Sequence, residues 1–331
     1  MPKPENNKEN IFLLGSQNDY QLLKNWTQNE IEQRYHLNGW FHDKELPSSI
    51  EKLIGEFNSI IGSESVNHFI LEPDGFNNET LEASIEWAES KGARVHLIQS
   101  DTNTIMQKLE RTNRFGPFAS ITLIQEPLSI KKNQIIKLIF DKIFSFVVIT
   151  FILSWLIPLL GILIKLNSKG PIIILQDRIG MNGQKYKCYK FRTMISDKTA
   201  EQGYGLITQK DDKRITSIGN FLRKTNFDEL PQFINVLFGD MSVIGPRPNP
   251  IKEDMEISER IKKYKIRRFV KPGITGFAAI HGFRGSTNDL GLMQKRIDLD
   301  IEYIENWSFW LDLKIAFITF WQMLTFQTGG K

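Results

Sequence analysis

The chain has 331 residues, enough for two ordinary domains, and 41% of them are hydrophobic while 24% are charged. This balance excludes a disordered polymer. Cys188 is the only cysteine, which excludes a disulfide framework and a thiolate zinc cluster and fits a reducing compartment.

The net charge of +4 is divided unevenly along the chain. Residues 1–130 contain 11 Lys and Arg against 19 Asp and Glu, whereas the remainder contains 31 against 19. An acidic first module joined to a basic second module indicates two parts with different partners. A basic module can bind nucleic acid, anionic lipid headgroups or phosphorylated substrates.

The first module alternates short apolar runs with an amphipathic helix. The predicted strands lie at 11–14, 67–71 and 93–98. The segment 80–91 places Leu81, Ile85 and Ala88 on one helical face, so strand, helix and strand predict a small parallel α/β domain. Only Gly15 follows the first strand, where a dinucleotide fingerprint needs three glycines. We therefore expect a regulatory or structural domain rather than a cofactor site.

The strongest apolar signal is an uncharged run of 22 residues at 143–164. As an α-helix it would be about 33 Å long, which is enough to cross a bilayer. Pro158 removes the hydrogen bond to the carbonyl of Ser154, so the helix should break there. Lysines flank both ends, whereas a spanning helix usually has its positive charges on one side. The pattern leaves two alternatives open, a helix that bends and re-enters the same face and a kinked transmembrane helix.

A second apolar segment lies at 307–324 and contains three tryptophans. Tryptophan is enriched at the headgroup level of membranes, so this segment could be an interfacial helix. A buried core helix that carries aromatic side chains is the other interpretation.

Two adjacent acids, Asp228 and Glu229, precede Pro231 and an apolar helical face that ends at Gly239. Because proline is tolerated in the first turn of a helix, a helix should begin near Asp228. One interpretation is structural, with Asp228 as the cap and Glu229 complementing the helix dipole. The other is chemical, because paired carboxylates can bind Mg²⁺ with substrate phosphates and one of them can attack phosphorus.

Basic side chains are frequent on both sides of this acid pair. Arg247 lies between Pro246 and Pro248, which can hold its guanidinium ready for bidentate phosphate binding. Arg223, five residues before Asp228, could neutralise phosphate charge. The other basic residues considered are Arg178, Lys185, Lys187, Lys190, Arg192, Arg214 and Arg284. A solvated surface is the alternative explanation for such residues.

A set of motifs in one order resembles the bacterial sugar transferases, also called monotopic phosphoglycosyl transferases or polyprenyl glycosylphosphotransferases. The motifs are DRIG at 177–180, YKFRTM at 189–194, IGNFLRKT at 218–225, DELPQ at 228–232, NVL at 235–237, GDMS at 239–242, GPRP at 245–248, KPGITG at 271–276 and YIENWS at 303–308. The resemblance covers about 130–331. The segment HGFRG at 281–285 is similar to the corresponding motif of enzymes that transfer glucose-1-phosphate or galactose-1-phosphate.

The resemblance implies a fold and a topology. It implies an α/β, Rossmann-like N-terminal domain over 1–130 and a membrane-associated α+β transferase domain over 131–331. The membrane helix, at about 134–166, would be re-entrant with its break at Pro158 and Ser154. Both termini would then lie on the cytoplasmic face of the bacterial inner membrane.

The resemblance also implies a chemistry. Asp228 would attack the UDP-sugar and hold the phosphosugar covalently, and Glu229 would assist with Mg²⁺ and proton transfer. The metal ligands would be Asp228 and Glu229. Phosphate would be bound by Arg247, Arg223, Lys190, Arg192 and Arg284.

The function expected from this resemblance is that of a phosphotransferase for substituted phosphate groups. The enzyme would transfer a hexose-1-phosphate, glucose before galactose, from a UDP-hexose to undecaprenyl phosphate, release UMP, and initiate exopolysaccharide, capsule or O-antigen synthesis. Its partners would be UDP-sugar, undecaprenyl phosphate, membrane lipid and a second copy of the chain in a homodimer, without nucleic acid. The alternative is a membrane scaffold with a degenerate active site that recruits glycosyltransferases.

Overall fold

A computed structural model of the chain describes residues 8–28, 34–42, 47, 49–74, 76–98, 114–195, 212, 214–285 and 289–325. The chain divides into two compact units. The first comprises Met1–Gln125 with Lys262–Ile266, and the second comprises Glu126–Ile261 with Arg267–Lys331. This division lies between Gln125 and Glu126, and the domain boundary expected from the sequence, between residues 130 and 131, stays a prediction.

The first unit is built on a six-stranded sheet with the strand order β2-β1-β3-β4-β6-β5. The strands are β1 Glu9–Gly15, β2 Tyr35–His42, β3 His68–Leu71, β4 Arg94–Ile98, β5 Arg114–Phe115 and β6 Phe118–Thr122. The helices are α1 Gln17–Thr27, α2 Ile50–Ile61 and α3 Asn78–Lys91. Strands β1 to β4 are mutually parallel where they pair, and β6 is antiparallel to β4.

Strand β1 shows why its sequence is a continuous apolar run. Phe12 and Leu14 belong to a buried cluster with Phe57 of α2, while Ile11 and Leu13 belong to a cluster on the other face of the sheet. Parallel strands covered on both faces have no polar alternation. The prediction of parallel strands separated by a helix is confirmed for β1, β3, α3 and β4, and the Rossmann-like character stays a prediction.

The second unit consists mainly of helices around two small sheets. Its helices are α4 Lys131–Val148, α5 Ser154–Asn167, α6 Ser217–Thr225, α7 Gln232–Phe238, α8 Ile251–Arg260, α9 Phe277–Ile280, α10 Leu290–Glu305 and α11 Phe309–Leu324. Its strands are β7 Ile173–Ile179, β8 Lys185–Phe191, β9 Ser242–Ile244 and β10 Gly273–Thr275. Strands β7 and β8 form an antiparallel hairpin, and β9 and β10 form a parallel pair.

One helical stretch, Lys131–Asn167, has 37 residues and is long and apolar enough to cross a membrane by length and composition. It joins α4 and α5 through a π-turn at Ile149–Leu153. Pro158 lies inside α5, and the Ser154 hydroxyl donates a hydrogen bond to the carbonyl of Thr150 at 2.7 Å. The π-turn thus ends directly before Ser154, and the re-entrant break expected at Pro158 and Ser154 stays a prediction.

The two arms of this stretch, α4 and α5, both pack against the rest of the second unit. In α4, Lys137 forms a buried ion pair with Asp312 of α11, with Nζ 2.7 Å from Oδ2. In α5, a buried row packs against Phe191 and Leu222. That row consists of Leu156, Leu160 and Ile164. The opposite side exposes large apolar side chains, namely Ile143, Phe146, Phe151, Trp155, Leu159, Ile162 and Leu166.

Helix α11 combines the two interpretations of the C-terminal segment. Asp312 and Ile315 are buried, and Asp312 also accepts hydrogen bonds from Tyr303 and Trp307. The aromatic side chains on the other face are exposed, and Trp310, Phe317, Phe320 and Trp321 are each more than half exposed. One face is thus core, and the other is an unpartnered apolar surface in the described part of the chain.

Candidate active site

The acid pair lies in a short turn between two helices. Helix α6 is capped by Thr216 and ends at Asn226, which has a positive φ of 59°. A 3-10 turn at Phe227–Glu229 follows, and α7 begins after Pro231 without a side-chain cap. Asp228 is therefore not the cap of α7, because the cap position of that helix is Pro231, three residues further along the chain.

Close backbone contact fixes helix α6. A Cβ atom on Gly219 would lie 1.9 Å from the carbonyl oxygen of Thr193, so only glycine fits there. The Thr193 hydroxyl in turn accepts a hydrogen bond from Arg223 Nε at 2.9 Å. Helix α6 is thereby held against the segment that follows β8.

Glu229 is the centre of a buried ion cluster and is only 3% exposed. Its Oε1 accepts hydrogen bonds from Lys190 Nζ at 2.7 Å and Arg247 Nη2 at 2.6 Å. Its Oε2 accepts from Arg247 Nη1 at 2.6 Å and Arg284 Nη2 at 3.2 Å. Three of the predicted phosphate-binding residues, Lys190, Arg247 and Arg284, thus meet at one carboxylate.

Strand β8 carries Lys190, and Asn235 of α7 fixes that strand. The Asn235 side chain accepts from the backbone N–H of Tyr189 at 2.9 Å and donates to the carbonyl of Lys187 at 2.7 Å. Asn235 therefore aligns β8 with the helix that follows the acid pair.

The loop after β9 carries Arg247 and is fixed through its backbone. The Arg247 carbonyl accepts hydrogen bonds from Arg267 Nη2 at 2.6 Å and Arg296 Nη2 at 3.1 Å. Arg267 is paired with the buried Asp300 at 2.7 Å. These two buried guanidinium groups hold the loop so that the Arg247 side chain points at Glu229.

Arg223 and Arg192 form no hydrogen bond to Glu229 in the described part of the chain, unlike the other predicted phosphate-binding residues. The charge of Asp228 acts on Arg223, although burial is the larger influence and lowers the Arg223 pKa. Arg192 instead donates to the carbonyls of Ser168 at 2.6 Å and Ile164 at 3.4 Å, where it complements the C-terminus of α5. The structure does not bring Arg192 to Glu229.

The two acids have opposite electrostatic environments. Burial raises the pKa of Asp228 to about 6, and the neighbouring negative charge of Glu229 acts in the same direction. Burial also opposes ionisation of Glu229, yet Arg247 and Lys190 outweigh it and hold the Glu229 pKa well below its usual value. The pKa of Glu229 is thus lowered and that of Asp228 is raised, so that Asp228 is the more weakly acidic carboxyl of the pair.

The fit of Mg²⁺ to the predicted ligand pair is unequal. Each oxygen of Glu229 already accepts two N–H hydrogen bonds, so Glu229 offers no lone pair to a metal in this arrangement. The carboxylate of Asp228 accepts no hydrogen bond from the described part of the chain and is available. No group of three or more His, Cys, Asp or Glu side chains that could hold a metal occurs among the described residues.

Residues that hold the site in place escaped the sequence interpretation. Asn235 lies within the NVL motif, so motif membership was the available signal for it, whereas Arg267 lies four residues before KPGITG and belongs to none of the motifs. Arg296 lies in the middle of α10, and only its burial in the fold reveals its role.

The first unit shows no phosphate-accepting arrangement at the start of α1. The Ser16 N–H donates to Asp19 Oδ2 and to Glu72 Oε2, both at 3.2 Å, and the Ser16 side chain caps the helix. Two carboxylates of the chain thus occupy the position where a nucleotide phosphate would bind. A regulatory or structural role for this unit stays a prediction.

The sequence is similar to a family and to several proteins. The model of the family described as "Bacterial sugar transferase" matches residues 132–326. The UDP-glucose:undecaprenyl-phosphate glucose-1-phosphate transferase of Escherichia coli strain K12 is 41% identical over 220 residues, which are 66% of this chain and 45% of that protein. The protein of the same name in Klebsiella pneumoniae is 42% identical over 214 residues, which are 63% of this chain and 44% of that protein.

A further relative differs in its sugar. The UDP-N-acetylgalactosamine-undecaprenyl-phosphate N-acetylgalactosaminephosphotransferase of Aeromonas hydrophila is 42% identical over 166 residues, 50% of this chain and 38% of that protein. The chain spans less than half the length of these three relatives. The matched region contains the acid pair, the ion cluster and the long apolar helix, and because the family match covers more than half of the sequence, the chain belongs to the bacterial sugar transferase family.

Proposed function

We propose that the protein transfers a hexose-1-phosphate from a UDP-hexose to undecaprenyl phosphate and releases UMP. The observation that carries the proposal is the contrast within the acid pair. Glu229 accepts hydrogen bonds from Lys190, Arg247 and Arg284, while the adjacent Asp228 accepts none from the described residues, although the charges of Lys190 and Arg247 act on it. A free carboxylate next to bound positive charge is suited to attack a phosphorus atom whose oxygens those cations stabilise.

The proposed reaction proceeds in two displacements. A carboxylate oxygen of Asp228 forms a bond to the sugar-bearing phosphorus, and the bond from that phosphorus to the bridging oxygen breaks, so that UMP leaves with the electron pair. An oxygen of undecaprenyl phosphate then attacks the same phosphorus. The acyl-phosphate bond breaks, and the Asp228 carboxylate is regenerated.

The raised pKa of Asp228 suits this role. At neutral pH most of the Asp228 side chains are ionised, since the pKa is about 6. A carboxylate with a raised pKa is also a stronger nucleophile than an ordinary one. Mg²⁺, held by Asp228 and the substrate diphosphate, would supply charge neutralisation, while Glu229 would keep the three cations in position.

The sugar is proposed to be glucose, with galactose and N-acetylgalactosamine as the alternatives. The names of the Escherichia coli and Klebsiella pneumoniae relatives support glucose, and that of the Aeromonas hydrophila relative supports N-acetylgalactosamine. A first sugar on undecaprenyl diphosphate would initiate exopolysaccharide, capsule or O-antigen assembly. A panel of UDP-sugars in one UMP-release assay distinguishes them.

The test of the chemistry is UMP release from UDP-glucose with undecaprenyl phosphate and Mg²⁺. Asp228→Asn should abolish release, while Asp298→Asn, a matched change on the exposed side of α10, should retain it. With UDP-glucose labelled in the sugar-bearing phosphate and no lipid acceptor, the label should stay on the protein and be removed by hydroxylamine. UMP release by Asp228→Asn at the wild-type rate would exclude the nucleophile. Absence of turnover with every UDP-sugar would favour the scaffold alternative.

We further propose that the stretch Lys131–Asn167 enters the cytoplasmic leaflet and returns to the same face of the inner membrane. The packing of both arms on one unit supports this, because a perpendicular spanning helix would draw that unit into the bilayer. The test uses single cysteines at the exposed positions Glu51 and Glu259 in a Cys188→Ala background. Labelling from the same side of sealed vesicles is expected, and labelling from opposite sides excludes re-entry.

A further inference from the structure

A second group of buried donors lies beside the Glu229 cluster. Arg178 of β7 is 6% exposed; its Nη2 donates to Gln176 Oε1 at 2.8 Å, and its Nη1 is buried without a hydrogen-bond partner in the described chain. The hydroxyl of Tyr186 is also buried and has no partner there. Arg178 and Tyr186 face each other across the β7–β8 ladder.

Several contacts place this donor pair at the site. The backbone of Arg178 forms an antiparallel bridge with Pro250, at the end of the loop that carries Arg247. The Tyr186 side chain lies on the same face of β8 as Lys190, because residues separated by an even number point to the same side. The charges of Arg247 and Glu229 act on Arg178, whose pKa is lowered chiefly by burial.

The charge balance of the region indicates an anionic ligand. Lys190, Arg247 and Arg284 hydrogen-bond to Glu229, and the charge of Asp228 also acts on the two arginines. Arg178 has no carboxylate among its hydrogen-bond partners, so that four cations lie near two carboxylates. The Nε of Arg284 is a further buried donor without a partner in the described chain. Buried hydrogen-bond donors normally have an acceptor. A group of buried donors without acceptors, in a region of excess positive charge, is therefore suited to bind an anion.

We propose that Arg178 Nη1 and the Tyr186 hydroxyl form a phosphate-oxygen subsite for a substrate of the proposed transfer reaction, and the proposal rests on that function. The ligand is a phosphate oxygen of the UDP-sugar or of the lipid phosphate, which share this chemistry. Both donors are closed off from solvent, so a phosphate reaches them only when neighbouring side chains move. Arg284, which is held to Glu229 by a single 3.2 Å hydrogen bond, is the most weakly held cation of the cluster.

The discriminating variant is Tyr186→Phe, which removes only the hydroxyl. Because this hydroxyl has no partner among the described residues, a purely structural role predicts an unchanged or higher Tm and unchanged kinetics. A phosphate subsite predicts an unchanged or higher Tm together with a KM about tenfold higher for one of the two substrates. Tyr189→Phe, the same change on the opposite face of β8, is the matched control and should leave both KM values unchanged.

Arg178→Lys keeps the charge but removes the forked guanidinium, so it should raise the same KM as Tyr186→Phe. A higher KM for UDP-glucose identifies the nucleotide phosphate, and a higher KM for undecaprenyl phosphate identifies the lipid phosphate. Wild-type KM values for both substrates in both variants, or effects on different substrates, would overturn the subsite.

The proposed function can fail separately from this inference. If the wild-type protein releases no UMP, binding is measured directly as the rise in Tm caused by UMP and by inorganic phosphate. Tyr186→Phe should then reduce that rise, and Tyr189→Phe should not. An equal rise in both variants and in the wild type would contradict the subsite without reference to catalysis.

Discussion

At the scale of residues, Asp228 and Glu229 are neighbours in the chain with different tasks. Glu229 receives four hydrogen bonds from three cations, while Asp228 receives none from the described residues. Removing one partner of a buried ion cluster leaves the remaining charges uncompensated, which is costly. For Asp228, burial and the charge of Glu229 outweigh the attraction of Lys190, Arg247 and Arg223, so that its pKa is raised and the loss of its charge costs little.

This contrast predicts opposite effects on stability. Glu229→Gln should lower the free energy of unfolding by about 3 kcal/mol, because Arg247 and Lys190 lose their counter-charge in a buried place. Asp228→Asn should leave it unchanged or raise it, although it abolishes the proposed activity. Thermal unfolding in detergent measures both, and equal losses in the two variants would contradict the assignment of structural and chemical roles.

The sequence showed which residue types the site would use but not their pairing. The partners of Glu229 are 18, 39 and 55 positions away, so no local pattern connects them. The motifs predicted Lys190, Arg247 and Arg284 as phosphate-binding residues; the structure brings the three together at Glu229, and their binding of phosphate stays a prediction. Arg192 belongs to an equally recognisable motif, yet it serves the end of α5, because position in a motif does not fix the direction of a side chain.

At the scale of elements, the parallel pair of β9 and β10 determines where the arginine loop begins. A Cβ atom on Gly273 would lie 2.1 Å from the backbone nitrogen of Gly245. The chain can therefore come this close to Gly245 only if residue 273 is glycine. The motifs GPRP and KPGITG thus meet in space, at the paired strands β9 and β10.

Gly273→Ala should therefore separate the strands and displace Arg247. We expect a loss of at least about 2 kcal/mol in the free energy of unfolding and a fall in activity, because backbone atoms cannot rotate away from the new methyl group. A Cβ atom on Gly55 would meet no other atom within 4 Å, so Gly55→Ala should raise the free energy of unfolding by about 0.5–1 kcal/mol. Equal effects of the two changes would contradict the close approach.

The sheet of the first unit contains a buried row of polar side chains. Glu9 Oε2 lies 2.9 Å from His68 Nε2, His68 Nδ1 lies 3.0 Å from His96 Nε2, and His96 bonds to Thr122 at 2.9 Å. Burial is the main cause of the lowered pKa of His68 and of the much lowered pKa of His96. Burial opposes ionisation of Glu9, but His68 and Arg34 outweigh it and lower its pKa to about 2.

All three shifts predict that acid destabilises this unit. In the unfolded chain the histidines bind protons below about pH 6.5, and folding must then exclude those protons, so stability falls as the pH decreases from there. Below about pH 4.5 the unfolded Glu9 also binds a proton that the folded state resists, and the loss steepens. Tm measured from pH 8 to 4 should begin to fall near pH 6.5 and should fall more steeply below about pH 4.5.

The matched variants are His96→Asn, which should flatten the decline below pH 6.5, and His36→Asn at an exposed position of β2, which should not. A decline that is unaltered in His96→Asn would contradict the role of this row. The sequence contained both histidines, but their contact depends on the pairing of β3 with β4 and could not be read from either strand alone.

At the scale of the whole molecule, the apolar helix and the basic second unit indicate where the protein works. The helix was predictable, because its length and lack of charge need no tertiary context. The side of α11 that is exposed was not predictable, because the buried Asp312 draws one face of this apolar helix inward.

The exposed aromatic face of α11 should contact lipid. In vesicles that contain brominated lipids, Trp310→Phe and Trp321→Phe should each remove part of the quenched tryptophan fluorescence, because both side chains are more than half exposed on this face. Trp26→Phe in the first unit is the control and should leave the quenched part unchanged. Quenching that is undiminished in both α11 variants would contradict lipid contact.

The π-turn at Ile149–Leu153 also determines which changes in length the membrane segment can accept. A π-turn contains one residue more than an α-helical turn, and it accounts for the five-residue step between the buried Val148 and Leu153. Deleting the exposed Ile152 should restore a continuous α-helix with the two buried rows still in phase. Inserting a residue into α5 just before Leu156 should instead rotate the rest of that arm by about 100° and turn Leu156 away from its cluster. A π-turn has the geometry of an α-helix with one residue added, so the membrane segment should tolerate the loss of one residue there better than the gain of one residue in α5.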